Sequence, residues 1–154
     1  MSGKITADGL SEFSQELIEL GKEQFPKKTK NFMQKAGNKM KAVARTEYRQ
    51  DIGKGGKERY SKRAGNNKRV DLIGSLSRGR AYIYNGDEYQ VRVKNSAPHA
   101  HLFEHGHVTK ATNPNKEKFV KGRHSMGKAA KKFASEYPNM AEEFVDELLS
   151  EGLK

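Results

Sequence analysis

Residues 89–107, YQVRVKNSAPHAHLFEHGH, constrain the fold more than any other stretch, because a strand, a chain reversal and a dense polar cluster follow one another there. Tyr89, Val91 and Val93 alternate with Gln90, Arg92 and Lys94, the period-two pattern of a strand with one apolar face. Ahead of them residues 81–84 are rich in β-formers, and Asn85-Gly86-Asp87-Glu88 tolerates the positive φ of a tight turn, so the two runs predict a hairpin. The pattern breaks over 95–98. Residues 97–105 then predict a short helix, with Pro98 at its first position, Ala100, Leu102 and Phe103 on its apolar side and Gly106 as its stop. This segment and its edges carry four of the chain's five histidines.

Helical patterns flank the hairpin on both sides. Asp8 is placed to cap a helix over 9–24, where Leu10, Phe13, Leu17 and Leu20 recur three to four apart, and Pro26 interrupts it. Over 26–50 a second stripe runs through Phe32, Ala36, Met40, Val43 and Ala44, flanked by Met33, Gly37 and Tyr48. A helix of that length spans roughly 35 Å, more than a small sheet needs as cover, which leaves part of it for another partner. Near the other end, Ser125 is expected to cap a helix that buries Met126, Ala129, Ala130, Phe133 and Ala134, with Pro138 kinking or restarting it. Ala141, Phe144, Val145 and Leu148 carry the stripe on, for packing across the sheet or along the 26–50 helix. Residues 107–118 read as polar and extended, with a turn at Asn113-Pro114-Asn115. A lone hairpin is marginal in water, so Lys118-Phe119-Val120 is expected to add a third strand. The expectation is one α+β domain over 1–154: a small antiparallel sheet, hairpin plus third strand, packed against a long N-terminal helix and a C-terminal helix.

Residues 51–69 stand apart. They combine four glycines with Lys54, Lys57, Arg59, Lys62, Arg63, Lys68 and Arg69 and hold few apolar residues, too little burial to offset the entropy of ordering. They predict a mobile basic loop, either solvated or an arm that orders against DNA or a neighbour, with Tyr60 available for stacking. The formal net charge of +11 is unevenly placed: residues 21–80 hold 18 basic against five acidic groups, whereas residues 136–154 hold one against six. Acidic ends beside a basic middle suit subunits that meet end to middle, or a basic face turned to a polyanion; a merely solvated surface is the alternative. No apolar run approaches the roughly 20 residues of a membrane span, and residues 1–20 lack a signal-peptide core, so a soluble protein made in the cytoplasm is expected. With no cysteine there is neither a disulfide framework nor thiolate chemistry.

Catalysis has one candidate. His101-Leu-Phe-Glu104-His105 matches H-x-x-E-H, in which two histidines one helical turn apart bind zinc and the glutamate activates water. Such a site needs a third ligand, for which Glu142 and Glu143 are the nearby later carboxylates, and a cleft for which there is no second lobe. His99, His101, His105 and His107 could instead make an adventitious or structural metal site, and otherwise read as polar residues at a surface or subunit boundary. No serine elbow and no glycine-rich phosphate loop is present. The expectation is a chain without catalytic residues, metal or cofactor.

Gly74-Ser-Leu76-Ser, the hairpin, Ala97 to Ala100 leading into Phe103-Glu104-His105-Gly106-His107, and Phe119-Val-Lys-Gly122-Arg-His124 before an alanine-rich helix form an ordered succession over residues 70–135. It resembles the tail-completion, or head-tail joining, proteins of long-tailed bacteriophages of the HK type, a neck family also described as minor capsid or tail components. In that family a G-x-L step precedes the hairpin, a short segment ending in Glu-x-Gly follows it, and a long C-terminal helix closes the fold. Two departures stand out: Pro98-His-Ala-His101 where the family often has Tyr-Ala, and the length of the basic loop. The resemblance implies a virion protein, assembled in the host cytoplasm, that forms a homo-oligomeric ring, six-fold in that family, at the head-tail junction. Such a ring binds portal-side and tail-side proteins, encloses non-specifically bound double-stranded DNA, and requires no membrane, cofactor or turnover. It implies a subunit contact at Phe103, Glu104, His105 and Gly106, with Glu104 accepting hydrogen bonds and Gly106 turning the backbone at positive φ. The basic loop would face DNA or a partner. The alternatives are a stand-alone basic nucleic-acid-binding module and a zinc-dependent hydrolase using His101, Glu104 and His105.

Overall fold

Pro26 opens the first helix, α1 (Pro26–Ile52), at a position where its missing N–H costs no hydrogen bond, and Gly53 ends it at φ 68, its N–H donating to the Arg49 carbonyl. The computed structural model describes residues 26–152 apart from 55, 57, 58, 64, 65, 87 and 111, with 61–69 and 152 described by backbone alone. The helix expected over 9–24 therefore lies outside the described residues. Within them the fold is α+β, as expected, with a long helix ahead of small antiparallel ladders and a second long helix behind.

The stretch expected as a mobile basic loop contains a hairpin, β1 (Tyr60–Arg63) with β2 (Asn66–Asp71). Backbone pairing needs no apolar side chains, and the base of this hairpin is tied to the body: the Leu72 N–H donates to the Arg59 carbonyl at 2.7 Å, and the Arg59 guanidinium pairs with Asp71 at 3.2 Å. Asp71 also accepts from the Ile73 N–H, turning the chain toward buried Leu72 and Ile73.

The predicted central hairpin forms and is longer than expected. β3 (Leu76–Arg78) pairs with β6 (Val93–Asn95), and β4 (Tyr82–Tyr84) pairs with β5 (Glu88–Gln90). Three residues on the first strand face two on the second between these ladders, so the register slips by one residue. Asn85 and Gly86, at φ 51 and 88, make the predicted turn. The short helix α2 (Ala100–His105) starts three residues later than expected, with Pro98 in the preceding turn, and ends at Gly106 as expected. The third strand does form, as β8 (Phe119–Lys121), but it leaves the hairpin alone and pairs with β7 (Gly106–Val108) after the 3-10 turn Pro114–Lys116.

Helix α3 (Ser125–Gly152) runs through Pro138 without restarting. Pro138 deletes one backbone donor, while Tyr137 beside it packs against Phe32 and Glu136, two residues before it, pairs with Lys39, which braces the interruption. α3 lies antiparallel along α1, one of the two packings expected of it. Ion pairs Lys28–Glu151, Lys39–Glu136, Glu47–Lys132 and Asp51–Lys128 link the two helices in steadily reversed order. Two apolar clusters result. One gathers Tyr48, Ile52, Leu72, Leu76, Phe103 and Ala129 where α1, the β3–β6 ladder, α2 and α3 meet; the other holds Phe32, Ala141, Phe144 and Leu148 between the far ends of the helices. Gly37 lets α1 approach the sheet: a Cβ there would come within 2.9 Å of Arg78 and Val91 side chains. Ala130 and Ala134, expected in the core, are exposed, because the inward stripe of α3 runs through buried Ala129 and half-buried Phe133 and Tyr137. No helix among the described residues is long and apolar enough to cross a membrane.

Candidate assembly site

Three elements converge on the Glu104 carboxylate. Its Oε1 accepts from the Tyr48 hydroxyl of α1 at 2.7 Å and from the Met126 N–H of α3 at 2.8 Å. A negative group at the first free N–H groups of a helix satisfies an orphan donor and complements the helix dipole. Ser125, expected as the cap, instead donates its hydroxyl to Asp51 at 2.6 Å, and Asp51 also receives the Lys128 ammonium at 2.7 Å. The cap thus comes from 22 residues upstream, a long-range partner that a local capping pattern cannot reveal. Burial raises the Asp51 pKa, but the hydrogen bonds from Lys128 and Ser125 and the charge of Lys128 outweigh it and hold the carboxyl below its ordinary range. The Tyr48 hydroxyl is pushed above its ordinary range by burial and by its bond to the negative Glu104.

Backbone contacts complete this joint. The Arg123 and His124 N–H groups donate to the Phe103 and Glu104 carbonyls, so the chain leaving β8 is laced to the end of α2. Gly106 adopts φ 84, the positive value expected of it; a Cβ there would lie 2.4 Å from the Val120 carbonyl oxygen. Across the same contact, a Cβ on Gly122 would lie 2.2 Å from the Glu104 carbonyl oxygen. The two glycines let two backbones touch, the reason Glu-x-Gly and Lys-Gly-Arg-His occur together in this chain.

The positions expected at a subunit contact have partners within the chain. Phe103 is buried with its ring stacked on Tyr48, and the Glu104 carboxylate is engaged by α1 and α3 of the same chain. Gly106 is packed against β8; of the four residues only His105 is exposed, its ring 6.2 Å from that of His124. The H-x-x-E-H segment is helical with His101 and His105 both exposed, and the carboxylate that would serve as base is the helix cap. Among the described residues no three His, Asp or Glu side chains are grouped so as to hold a metal ion. A groove between α1 and α3 is lined by Phe32, Phe144, Lys28, Lys35, Glu143 and Glu147, a balanced set of charges over aromatic rings with no histidine or nucleophile.

Apolar surface lies on the ladders instead. Val108 and Phe119 face each other across β7 and β8 and are 55% and 67% exposed. Ile83 and Tyr84 protrude from the β4–β5 end. Every ladder among the described residues has two strands, so each keeps open edges. Of the basic residues singled out in the sequence, Lys54 is exposed just beyond α1 and Arg59 is paired with Asp71. Lys62 stands opposite Arg69, and Arg63 opposite Asn66, in the β1–β2 register; Lys68 is on β2 and Lys57 lies outside the described residues.

Sequence reasoning missed Glu47, which is only 4% exposed and paired with Lys132, and it placed Tyr48 at the flank of α1 although the ring is fully buried. A signal for the first existed: Glu47 and Asp51 are four apart on α1, and Lys128 and Lys132 are four apart on α3, matching spacings for an antiparallel pair. Compared with known proteins, the chain matches no family model, no curated protein and no solved structure.

Proposed function

We propose that this chain is a structural subunit of a phage head-tail junction, a neck or tail-completion protein whose copies form a ring around the DNA channel and join head to tail. The observation that carries the reading is the unfinished state of its sheets: two-stranded ladders with open edges, two of them bearing exposed pairs of large apolar side chains. Two-stranded ladders are marginal in water, and exposed apolar faces mark contact surfaces, so neighbouring copies or partners complete them. The order of elements supports it too: a G-x-L step, a hairpin, the Glu-x-Gly segment and a long closing helix follow one another as in the neck family that the sequence resembles.

In this reading the protein works mechanically and transforms no substrate. The Glu104 joint fixes the frame of each subunit. The open ladders meet neighbours, and portal-side and tail-side proteins bind the two ring faces. The basic β1–β2 hairpin, with Lys62, Arg63, Lys68 and Arg69, faces the double-stranded DNA or a partner without reading sequence. The subunit resides in the virion after assembly in the host cytoplasm. Deleting the gene from its phage and assaying particles by electron microscopy tests the proposal: filled heads and tails that stay separate support it, and normal joined particles overturn it. The basic hairpin favours one second reading, a free-standing nucleic-acid-binding module, which requires tight, steeply salt-dependent DNA binding by the monomer.

A further inference from the structure

Two surfaces of this molecule lack what they need, and each offers what the other lacks. The first is the β7–β8 ladder, where Val108 and Phe119 form an exposed cross-strand pair, and Lys121, two residues beyond Phe119, and Lys110, two residues beyond Val108, share their face, while Lys118 alternates to the other. Between 106 and 124 the chain holds five Lys or Arg against the single Glu117. No ion pair reaches Lys110, Lys118 or Lys121 among the described residues. The second surface is the end of α3, where residues 141–152 carry Glu142, Glu143, Asp146, Glu147 and Glu151 and no base.

That acidic end works against its own helix. Acidic groups near a C-terminus oppose the macrodipole, and Glu142/Asp146, Glu143/Glu147 and Glu147/Glu151 are like-charge pairs at i, i+4. Glu143, Glu147 and Glu151 fall on one flank of α3, toward Lys28 and Lys35 of α1. Glu142, Asp146 and Leu149, spaced four and three apart, fall on the opposite flank; Leu149 is 49% exposed, and neither acid has an ion-pair partner among the described residues.

We propose that the Val108–Phe119 face of the ladder is the docking surface for the Glu142–Asp146–Leu149 flank of α3 of a second copy. Leu149 seats against Val108 and Phe119, and the two acids meet the lysines of that face, Lys110 and Lys121. The inference rests on the reading of the chain as a self-assembling subunit and names the contact. One copy cannot make this contact with itself, because 24 helical residues, roughly 36 Å, separate Leu149 from the start of α3 beside the ladder. Two ladders face to face would oppose lysines to lysines. Because the surfaces are unlike, the contact is head-to-tail, the kind that propagates into a chain or closes into a ring.

The test uses the full-length protein and sedimentation velocity across a concentration series. E142K/D146K reverses one surface and K110E/K121E the other; all four positions are exposed, and circular dichroism checks that each variant keeps the wild-type helical signal. Each variant alone self-associates about tenfold or more weakly than wild type, and an equimolar mixture, in which every contact is again between opposite charges, recovers large species. L149S weakens assembly as well and is not rescued by mixing. Either reversal variant assembling like wild type, a mixture that stays monomeric, or a wild-type protein that stops at a dimer overturns the docking. So does loss of assembly on reversing Lys68 and Arg69 of the β1–β2 hairpin while K110E/K121E assembles normally. If rings form with these variants unaffected, the docking fails and the neck reading stands; if mixing rescues but the deletion phage still joins heads to tails, the reverse holds.

Discussion

The joint around Glu104 and the ladder that follows it are neighbours in the chain and opposites in character. At the joint, Glu104 is bonded to two other elements, and neither Gly106 nor Gly122 has room for a methyl group. One strand later, Val108 and Phe119 stand largely in solvent. Rigid and exposed surfaces side by side suit the proposed assembly subunit, because a contact presented on a fixed frame loses little entropy when it forms. Under the proposed reading the difference also separates two kinds of substitution: those at the joint should act on folding and those on the ladder on assembly.

Gly122→Ala gives the largest expected loss, about 3 kcal/mol or more, since the new Cβ meets backbone that cannot yield. Gly106→Ala adds strain at positive φ to a similar clash. Urea denaturation measures both, and Gly127→Ala, where nothing lies within 4 Å, serves as the control, with a gain of about 0.5 kcal/mol. Glu104→Ala comes next, at about 2–3 kcal/mol, because it uncaps α3 and strands the buried Tyr48 hydroxyl; Tyr48→Phe costs about 1 kcal/mol.

Acid probes the same joint through Asp51. Its folded pKa lies below the ordinary value, so its contribution is complete above about pH 4, the unfolded range, and disappears as pH falls through the folded value. Asp51→Asn should flatten that part of the stability-pH curve, and an unchanged acid limb would remove Asp51 from the joint. Phe119→Ser is the smallest in stability, within about 0.5 kcal/mol, yet it weakens self-association measured by sedimentation. A large stability loss there would erase the contrast between the two regions.

Local pattern made the α+β class, the central hairpin, both long helices and the role of Gly106 legible, since period, turn chemistry and chirality act over a few residues. What it missed acts at a distance. The strand at Phe119 was visible, but its partner was not, because Gly106–Val108 is polar and short and is positioned by the glycine contact. Glu104 stands out in the sequence as a hydrogen-bond acceptor, but its partners Tyr48 and Met126 come from helices far away in sequence. The β1–β2 hairpin was hidden because it is held by backbone pairing and the Arg59–Asp71 pair, without an apolar stripe to announce it. Continuity of α3 through Pro138 likewise depends on Phe32 and Lys39 of the neighbouring helix.

The central claim, that this chain is an incomplete unit finished by its own copies, is tested most directly by the mass of the wild-type protein as its concentration rises. The account predicts growth from monomer to a closed species of fixed copy number, with Phe119 protected from solvent in that species. A protein that remains monomeric to millimolar concentration, with Phe119 as accessible as in the isolated chain, would contradict it.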